Sequence, residues 1–487
     1  MTYRHQIIFM ATFLGSVLPV TAQSLPTNTS GSVTVSARAG EVLSWVTFTD
    51  KSKLLASHQT AQFSKGARLP IHIEVDSNKK FQEMVGFGAN ISDASAQLIN
   101  RNLSAEAKEK LLKDLFGPSP GAAFSFTRLT IGASDFSTRH YSYNYMPAGQ
   151  RDDSLVRFSI DPMQENVLPV LKSALRINPQ LKVMASPWSA PGWMKTTDSL
   201  IKGTLRPDAY DAFARYLGKY ADAMEQEGIP LYALTLQNEP HFEPENYPGM
   251  RLMPETRAKL IAQHVGPLFQ KRKNLVRILD WDHNWDEFSS PLGVLANDKA
   301  RSFIAGVAWH CYGGDVKAQN LVHDAYPDKD TYFTECSGGE WKPHWEETLP
   351  WYMRNLIIGT TRGWAKGVLM WNIALDEKFG PHLGGCNDCR GVVTINSKTG
   401  EVIRNFDYYA LAHASRFVRP GAHRIDSSLG QDGIENVAFQ NADDESIALV
   451  VLNGAASKRQ FSVAYQGKNF SYELPAASVL TLTWKPW

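Results

Sequence analysis

The sequence predicts an α/β protein built on a (β/α)8 barrel, with an appended antiparallel β-sandwich formed by strands from both ends of the chain. Two observations carry this prediction. Through the middle of the chain, short apolar runs alternate with amphipathic helical stretches, which is typical of βα units around a parallel sheet. Near the C-terminus, short strand-like runs follow one another with turn residues between them and no helical pattern.

Eight candidate strands across roughly 290 residues fit a closed (β/α)8 barrel with long loops. In chain order they are Met84–Gly88, Phe124–Thr130, Leu181–Ala185, Leu231–Leu236, Leu275–Leu279, Gly306–Trp309, Thr331–Thr334 and Gly367–Trp371. The predicted helices between them are Met163–Arg176, Asp208–Gln226, Glu255–Lys271 and Glu346–Thr361. A doubly wound open sheet is the structural alternative, but no G-x-G-x-x-G motif follows the first strand to bind a dinucleotide.

The two ends of the chain predict a second, all-β unit. The C-terminal candidate strands are Val437–Phe439, Ile447–Leu452, Gln460–Tyr465, Phe470–Leu474 and Val479–Trp484. At the other end, Ile71–Val75 alternates strictly between apolar and polar residues, and Val33–Val35 is similar. Because an isolated hairpin is marginally stable, we expect these N-terminal strands to pair with the C-terminal ones.

The first residues have the pattern of a secretory signal peptide. Arg4 and His5 precede the apolar run Ile7–Val20, and Val20-Thr21-Ala22 has the small-x-small pattern of a cleavage site. A membrane anchor is the alternative, but the run is shorter than the roughly 20 residues that span a bilayer. We therefore predict a secreted or periplasmic protein without stable membrane insertion. The expected segments are a signal peptide (1–22), N-terminal strands (23–77), a catalytic barrel (78–405) and the C-terminal β-sandwich (406–487).

Composition excludes several function classes. Of the 487 residues, 43% are hydrophobic and 20% are charged, which is typical of a packed globular protein and not of a disordered one. The 50 basic side chains nearly balance the 49 acidic ones, so no basic field exists to attract nucleic acid. No motif for a cofactor or a protein partner is present, and none is predicted.

The four cysteines leave alternatives open. Cys386 and Cys389 can form a local disulfide, contribute half of a zinc site or remain free thiols. Structural zinc normally needs a second ligand pair at similar spacing, whereas Cys311 and Cys336 lie 25 positions apart. In an oxidising compartment, the local disulfide is favoured.

Two predicted strands end in glutamate, at the edge where barrel active sites lie. Glu239 follows the fourth strand, where Pro240 cannot continue the hydrogen-bond ladder, and Glu335 ends the seventh strand. A single glutamate is usually a solvated surface residue. Two carboxylates on opposed strands can face each other across the cleft, and glycosidic bond cleavage requires such a pair.

The surrounding segments resemble glycoside hydrolase family 30, the family of glucosylceramidases and β-1,6-glucanases, from about Phe81 to the C-terminus. The matching segments are 81–88, 92–94, 133–137, 185–195, 370–375 and 408–417. This resemblance implies that Glu239 is the general acid/base and Glu335 the nucleophile. The substrate-binding residues that it implies are Asp135, Trp188, Asn238, His310, Tyr312 and Trp371.

The resemblance also implies roles for these residues. Asn238 is expected to hydrogen-bond the sugar 2-hydroxyl, and Asp135 to accept hydrogen bonds from other hydroxyls of the sugar. Trp188 and Trp371 are expected to wall the glucose subsite. His310 and Tyr312 match residues near the nucleophile that hold its ionisation and orientation.

Two weaker candidates come from the residues themselves. Arg128 lies inside the second strand, and since an unpaired buried arginine is costly, we expect it to have an acidic partner. Asp280, Trp281 and Asp282 follow the fifth predicted strand, so we expect them near the cleft.

The sequence therefore predicts a retaining glycoside hydrolase that cleaves β-glucosidic bonds without a metal or an organic cofactor. The expected substrate is a carbohydrate or glycolipid, either a β-1,6-glucan or gentio-oligosaccharide, or glucosylceramide. The loop 380–391, with its cysteine pair, departs from the animal glucosylceramidases and resembles bacterial and fungal branches of the family. The alternatives are a β-xylosidase or β-fucosidase of the same family, a non-catalytic glycan-binding barrel, and a metallohydrolase built on His310, Asp280 and nearby acids, which indifference to a chelator would exclude.

Overall fold

The computed structural model describes residues 40–487, so the predicted signal peptide and the candidate strand Val33–Val35 lie outside the described residues. Eight parallel strands form a closed barrel in which each strand pairs with its neighbours in chain order and the eighth pairs with the first. The barrel strands are Gly86–Asn90, Phe126–Ile131, Lys182–Pro187, Ala233–Thr235, Arg277–Asn284, Ile304–His310, Asp330–Glu335 and Ala365–Asn372. Each of the eight predicted strands overlaps one of these, which confirms the barrel.

Helices pack around the barrel. The α-helices are Asp93–Arg101, Ala105–Phe116, Asp161–Gln164, Val167–Ile177, Tyr210–Gln226, Pro254–Leu260, Gly266–Gln270, Ser289–Leu295, Asp298–Arg301, Ala318–Ala325, Trp345–Tyr352, Thr360–Arg362 and Phe406–Ser415. Two π-helical stretches, Ile261–Val265 and Met353–Gly359, join α-helical pieces into longer helices, and short 3-10 turns occur at Gly192–Met194, Pro207–Ala209 and Trp285–Glu287. The predicted helix Met163–Arg176 is instead interrupted after Gln164.

The fifth barrel strand is longer than predicted, and this changes the position of three candidate residues. The strand runs to Asn284, so Asp280, Trp281 and Asp282 lie within it and not after it. Trp281 and Asp282 have φ values of +77° and +57°, and the pairing with the sixth strand shifts register beside them. The sequence predicted a strand end at Leu279 because polar residues follow it. The buried hydrogen-bond partners that allow these polar residues to continue the strand come from other parts of the chain, so the sequence alone does not show them.

A second sheet of ten strands confirms the predicted pairing of the two chain ends. Its strands are Glu41–Thr47, Ala56–Ser57, Ala61–Gln62, His72–Glu83, His423–Ser427, Ile434–Gln440, Ile447–Asn453, Arg459–Tyr465, Lys468–Leu474 and Ser478–Trp484. Two small sheets lie elsewhere, one pairing Gly338–Gly339 with Cys389–Arg390 and one joining Ala374–Asp376, Val393–Ile395 and Val402–Arg404.

The strand Ile447–Asn453 shows why this region has a continuous apolar run. Its side chains alternate between two cores: Ile447, Leu449 and Val451 pack inside the β-domain, whereas Ala448, Val450 and Leu452 pack against the barrel. Both faces of the strand are therefore buried, which is why the strict hydrophobic alternation of a half-exposed strand is missing.

Side chains close one end of the barrel interior. Phe126, Met184, Leu279, Tyr332 and Leu369 belong to a separate apolar cluster made by inward-facing residues of several strands. Such layers fill barrel interiors, so polar residues gather at the opposite, C-terminal edge of the strands. Within residues 40–487, no helix has the length and hydropathy needed to cross a bilayer.

Candidate active site

Glu239 and Glu335 both line a cavity of about 570 Å³ at the C-terminal edge of the barrel strands. Glu335 is the last residue of the seventh strand. Glu239 lies beyond the fourth strand with a φ of +48°, and its backbone N–H donates to the carbonyl oxygen of Asp282 at 3.0 Å. This hydrogen bond fixes the turn that carries Glu239, so the two predicted carboxylates meet in one cavity.

His310 lies between the two glutamates. Its Nδ1 is 3.1 Å from Glu239 Oε1 and 3.9 Å from Glu335 Oε1, and its Nε2 is 3.0 Å from Asp282 Oδ1. Burial alone would lower the pKa of His310, but the Glu335, Asp282 and Glu239 carboxylates raise it to about 9. His310 is therefore an imidazolium at neutral pH.

The proton on His310 affects Glu239 in turn. Burial raises the pKa of the Glu239 carboxyl, but hydrogen bonds from His283 and His310 outweigh burial and hold that pKa well below its usual range. His283 Nδ1 lies 3.5 Å from Glu239 Oε1. In the absence of a sugar, the pair formed by Glu239 and His310 thus holds one proton, and that proton is on the imidazole.

Arg128 fixes the other carboxylate. Its Nη1 donates to Glu335 Oε2 at 2.5 Å, and its Nη2 donates to Asp282 Oδ2 and Asn238 Oδ1, each at 2.7 Å. Tyr312 donates its hydroxyl to the second oxygen of Glu335 at 2.9 Å. The expectation that Arg128 has an acidic partner is confirmed, because it pairs with two carboxylates, those of Asp282 and Glu335. The Glu335 carboxylate is consequently held at both oxygens.

Asp282 is the hub of the buried network beneath the cavity. Its carboxylate accepts hydrogen bonds from side chains on five other strands, which are those of Arg128, Ser186, Thr235, His310 and Thr334. Burial raises the pKa of Asp282, but Arg128 and His310 lower it well below its usual range, so the carboxylate is ionised.

The two residues before Asp282 lie apart from the cavity, contrary to the expectation that placed all three near the cleft. Asp280 pairs with Arg257 of the helix Pro254–Leu260 at 2.8 Å, and Trp281 packs its ring against His241. In a regular strand these two aspartates would share a face, but the positive φ values of Trp281 and Asp282 and the register shift beside them break the alternation, so Asp280 faces a surrounding helix while Asp282 lies in the network beneath the cavity. The metallohydrolase alternative, which needs Asp280 beside His310, therefore lacks one of its ligands.

A closed wall stands on one side of the glutamates. The rings of Trp188 and Trp371 stack at a centroid distance of 4.9 Å and an angle of 18°, and the Arg128 guanidinium lies 4.8 Å from the Trp188 ring centroid. Asp135 completes this wall, and burial, reinforced by the nearby Glu335 carboxylate, raises the pKa of its carboxyl well above the usual value.

The loop 380–391 packs directly against Asp135. The Leu383 N–H donates to the Asp135 carbonyl oxygen at 2.8 Å. Gly385 has a φ of +70°, and a Cβ there would overlap the Asp135 side chain, so the close approach requires glycine. Cys386 and Cys389 form the favoured local disulfide, and both line the cavity.

A second disulfide joins Cys311 and Cys336, a pairing that was not predicted from the sequence. Cys311 directly follows His310 and Cys336 directly follows Glu335, at the ends of the neighbouring sixth and seventh strands. The bridge therefore ties together the two segments that carry His310 and Glu335. The available signal was that each cysteine directly follows a candidate site residue on adjacent strands.

Seven of the eight predicted site residues line the cavity, and His310 lies beneath it in contact with Glu239. Further cavity residues that the sequence did not single out are Phe242, Pro244, Glu245, Asn246, Tyr247, His283, Asn284 and Trp341. His283 and Asn284 end the fifth strand, and the others lie in loops after the fourth and seventh strands. Hydrophobic periodicity predicts strands and helices but not the positions of loop residues, so these residues could not be predicted from it.

Glu239, His283 and His310 also form a group that can hold a metal ion. Their candidate ligand atoms all lie within 4.8 Å of one another. Of the two imidazole rings, that of His310 hydrogen-bonds the Glu239 carboxylate at 3.1 Å, whereas His283 Nδ1 lies 3.5 Å from it.

A (β/α)8 barrel fused to a β-sandwich, with a pair of carboxylates at the ends of the fourth and seventh strands, defines a class of barrel glycoside hydrolases. The chain belongs to glycosyl hydrolase family 30: the model of that family's TIM-barrel domain matches residues 84–418, and the model of its β-sandwich domain matches residues 421–482. The predicted family and fold are both confirmed.

Individual relatives cover most of the chain. Endo-1,6-beta-D-glucanase neg1 of Aspergillus fumigatus is 34% identical over 82% of this chain and 84% of the relative. The solved structure of the endo-beta1,6-glucanase BT3312 superposes with a TM-score of 0.85 at 32% identity, covering 92% of this chain and 100% of that one. Putative glucosylceramidase 2 of Caenorhabditis elegans is 30% identical over 78% of this chain and 76% of the relative.

Proposed function

We propose that this chain hydrolyses β-1,6-linked glucan by a retaining double displacement, with Glu335 as the nucleophile and Glu239 as the general acid/base. The observation that carries the mechanism is the meeting of both carboxylates at one imidazole nitrogen of His310. The substrate class rests on the comparisons: the endo-1,6-beta-D-glucanases are 32% to 34% identical to this chain, and the glucosylceramidases 26% to 30%.

The distance between the carboxylates supports retention of configuration. Because His310 Nδ1 is 3.1 Å from one carboxylate oxygen and 3.9 Å from the other, these oxygens are at most about 7 Å apart. Retaining pairs are separated by about 5–5.5 Å, whereas inverting pairs, which must admit a water molecule, are separated by about 6.5–9.5 Å. A separation of at most about 7 Å between these two oxygens favours a retaining pair.

In the first step, the ionised Glu335 attacks the anomeric carbon while the leaving oxygen takes a proton from Glu239. His310 supplies that proton across its hydrogen bond to Glu239, and it takes a proton back once Glu239 has removed one from water in the second step. The C–O bond to the leaving sugar breaks, and an ester forms between Glu335 and the glycone. In the second step, Glu239 removes a proton from water, which attacks the anomeric carbon and releases Glu335.

The closed wall fits the glycone. Trp188 and Trp371 offer apolar ring surfaces for the C–H face of a pyranose, and the Asp135 carboxyl can hydrogen-bond the sugar hydroxyls. Asn238 accepts from Arg128 through Oδ1, so its NH2 group is the part left to donate to a sugar hydroxyl. This orientation matches the proposed contact with the 2-hydroxyl, which strengthens in the transition state.

We also propose that the protein is exported, with cleavage after Ala22 and the barrel and sandwich divided as the sequence predicts. The support comes from the apolar N-terminal run and from the two disulfides, which persist in oxidising compartments.

The test compares product release from β-1,6-glucan, β-1,4-xylan and glucosylceramide by purified residues 23–487, with and without EDTA. We expect β-1,6-glucan to be the preferred substrate, EDTA to have no effect, and NMR of the first product to show the β-anomer. Preference for xylan or the lipid would overturn the substrate class. An α-anomer as the first product would overturn retention, and loss of activity in EDTA would favour the metal-dependent alternative.

The proton shared by Glu239 and His310 predicts the alkaline limit of activity. His310, whose pKa is about 9, keeps its proton until the pH passes that value, so kcat/KM should fall above about pH 9. Asp282→Asn removes one negative charge that raises this pKa, so the alkaline limb should move to lower pH. The control is Thr334→Val, which removes a hydrogen bond to Asp282 but no charge. An unmoved limb in Asp282→Asn would contradict the assigned proton donor.

A further inference from the structure

Glu239, His283 and His310 bring three potential metal ligands together at the active site. Among residues 40–487, they form the one group of three or more such side chains whose candidate ligand atoms all lie within 4.8 Å of one another. We propose that this group is an inhibitory site for a divalent transition-metal ion of the zinc class, and that a bound ion stops turnover by occupying the general acid/base. Metal binding rests on the geometry alone, whereas its effect on turnover rests on the proposed function.

The spacing of the ligand atoms suits a tetrahedral ion. Glu239 Oε1 lies 3.1 Å from His310 Nδ1 and 3.5 Å from His283 Nδ1. With bonds of about 2.0–2.1 Å from the metal to nitrogen and oxygen, two ligand atoms of a tetrahedral zinc ion lie about 3.3 Å apart. The two observed separations fall on either side of this value, so an ion can reach the carboxylate and each imidazole with only small side-chain shifts.

His283 has a ring nitrogen that is available to a metal. Its Nδ1 is buried and makes only the long 3.5 Å contact with Glu239 Oε1. A buried polar nitrogen without a close partner costs free energy, because folding has removed its hydrogen bond to water. A coordinate bond to a metal ion would satisfy this nitrogen, so the free energy of binding is not spent on breaking an existing strong contact.

His310 has the surroundings of a metal-bound histidine. Its Nε2 lies 3.0 Å from Asp282 Oδ1, which leaves Nδ1 as the nitrogen beside Glu239. Metal-binding histidines almost always donate their other ring N–H to a carboxylate, which fixes the orientation of the ring. Thr334 donates to the same Asp282 oxygen at 2.7 Å and holds that carboxylate in place. When an ion binds, His310 Nδ1 releases its proton to solvent, while Nε2 keeps the proton that it donates to Asp282.

The ligand types select the class of metal. Two imidazoles and one carboxylate suit Zn²⁺, and sites of this kind generally bind Cu²⁺ more tightly still. Mg²⁺ and Ca²⁺ prefer sets of oxygen ligands, so a single carboxylate does not hold them. Three protein ligands leave the fourth position of a tetrahedral zinc ion to water, and the cavity lined by Glu239 and His283 can supply that water.

A bound ion would block the acid/base in both steps of the reaction. Glu239 has to give a proton to the leaving oxygen and later remove one from water, and a carboxylate oxygen bonded to a metal can do neither. His310 cannot pass a proton to Glu239 when its Nδ1 is bonded to the same ion. The metal-free enzyme is therefore the active form, and a chelator should restore activity to the zinc-inhibited enzyme.

The test measures metal binding and turnover separately. Untagged, metal-free residues 23–487 are titrated with zinc chloride by calorimetry, and hydrolysis of an aryl β-glucoside is followed at each zinc concentration. The variants are His283→Gln and the control His241→Gln. His241 forms a neighbouring pair with the exposed Glu287 at 2.6 Å, so the control detects an ion that binds this pair instead.

We expect one zinc ion per chain, a dissociation constant in the micromolar range or tighter, and an inhibition constant equal to it. Magnesium chloride should neither bind nor inhibit, and EDTA should restore full activity. Loss of a residue that only supports a ligand costs about 10–100-fold in metal affinity, so His283→Gln should weaken zinc binding by about 100-fold or more. Its inhibition is compared with its own metal-free activity, and His241→Gln should match the wild type in both measurements.

Several outcomes would overturn the site. Equal zinc affinity in His283→Gln and the wild type would remove His283 as a ligand, and loss of binding in His241→Gln alone would place the ion at the pair with Glu287. Binding only at millimolar zinc would indicate an adventitious ion only, and tight binding without inhibition would refute the inhibitory role. Failure of the proposed function has a different signature, because the metal-free enzyme would then release no sugar from β-1,6-glucan while calorimetry would still test the metal site.

Discussion

Glu335→Gln should reduce turnover of every substrate by about 10,000-fold or more while leaving the fold intact, because an amide cannot form the glycosyl ester. Glutamine keeps the shape of the side chain and can still accept from Arg128, so the buried network is preserved. Turnover is measured by single-turnover hydrolysis of an aryl β-glucoside, and folding by thermal unfolding. Full activity would contradict the assignment of the nucleophile.

The matched control is Glu346→Gln, eleven residues further on. Glu346 is exposed and lies in the first turn of the helix Trp345–Tyr352, so the same chemical change there should leave activity unaltered. A comparable loss in both variants would indicate that the assay reports on something other than the nucleophile.

The stereochemistry of rescue by azide separates the two glutamates. In Glu335→Ala, azide can occupy the vacated space and attack from the nucleophile's face, which gives the α-glycosyl azide. In Glu239→Ala, the ester still forms with a good leaving group, and azide then attacks from the opposite face to give the β-glycosyl azide. The reverse pattern would exchange the two roles.

The fold and the carboxylate pair were predictable because they follow from local pattern. Apolar runs of strand length mark the barrel strands, and the strand ends of a barrel lie on one edge, so Glu239 and Glu335 could be placed together without coordinates. Trp188 and Trp371 followed from segments that resemble the family.

The rest of the site depends on contacts between distant parts of the chain. The sequence predicted that Asp282 follows its strand, because a carboxylate interrupts the apolar pattern of a strand. Its place inside the strand depends on five hydrogen-bond partners from five other strands, which no local pattern reveals. The Cys311–Cys336 bridge requires knowing that the sixth and seventh strands are neighbours in the barrel. Trp341 lies in a loop whose position depends on pairing with Cys389–Arg390, which no local pattern encodes.

Arg128→Met should lower kcat by about 100-fold or more, because Arg128 orients Glu335 and misplacement of about 1 Å can cost that much. The Michaelis constant for a short substrate should change far less, since Arg128 contacts the carboxylates and lies behind the Trp188 wall. Loss of the shared cation leaves Glu335 and Asp282 as buried charges with one fewer partner, so unfolding free energy should fall by about 3–5 kcal/mol.

Arg257→Met separates positioning from stability. Arg257 is as buried as Arg128 and pairs with a buried aspartate, Asp280, but on the face of the fifth strand away from the cavity. Its loss should therefore destabilise the barrel by a similar amount and leave kcat nearly unchanged at a temperature where both variants are folded. Arg128→Lys keeps the charge without the planar fork, so it should recover stability better than kcat. If the two methionine variants lost kcat equally, the effect of Arg128 would be structural, and the orientation of Glu335 would have to come from Tyr312 alone.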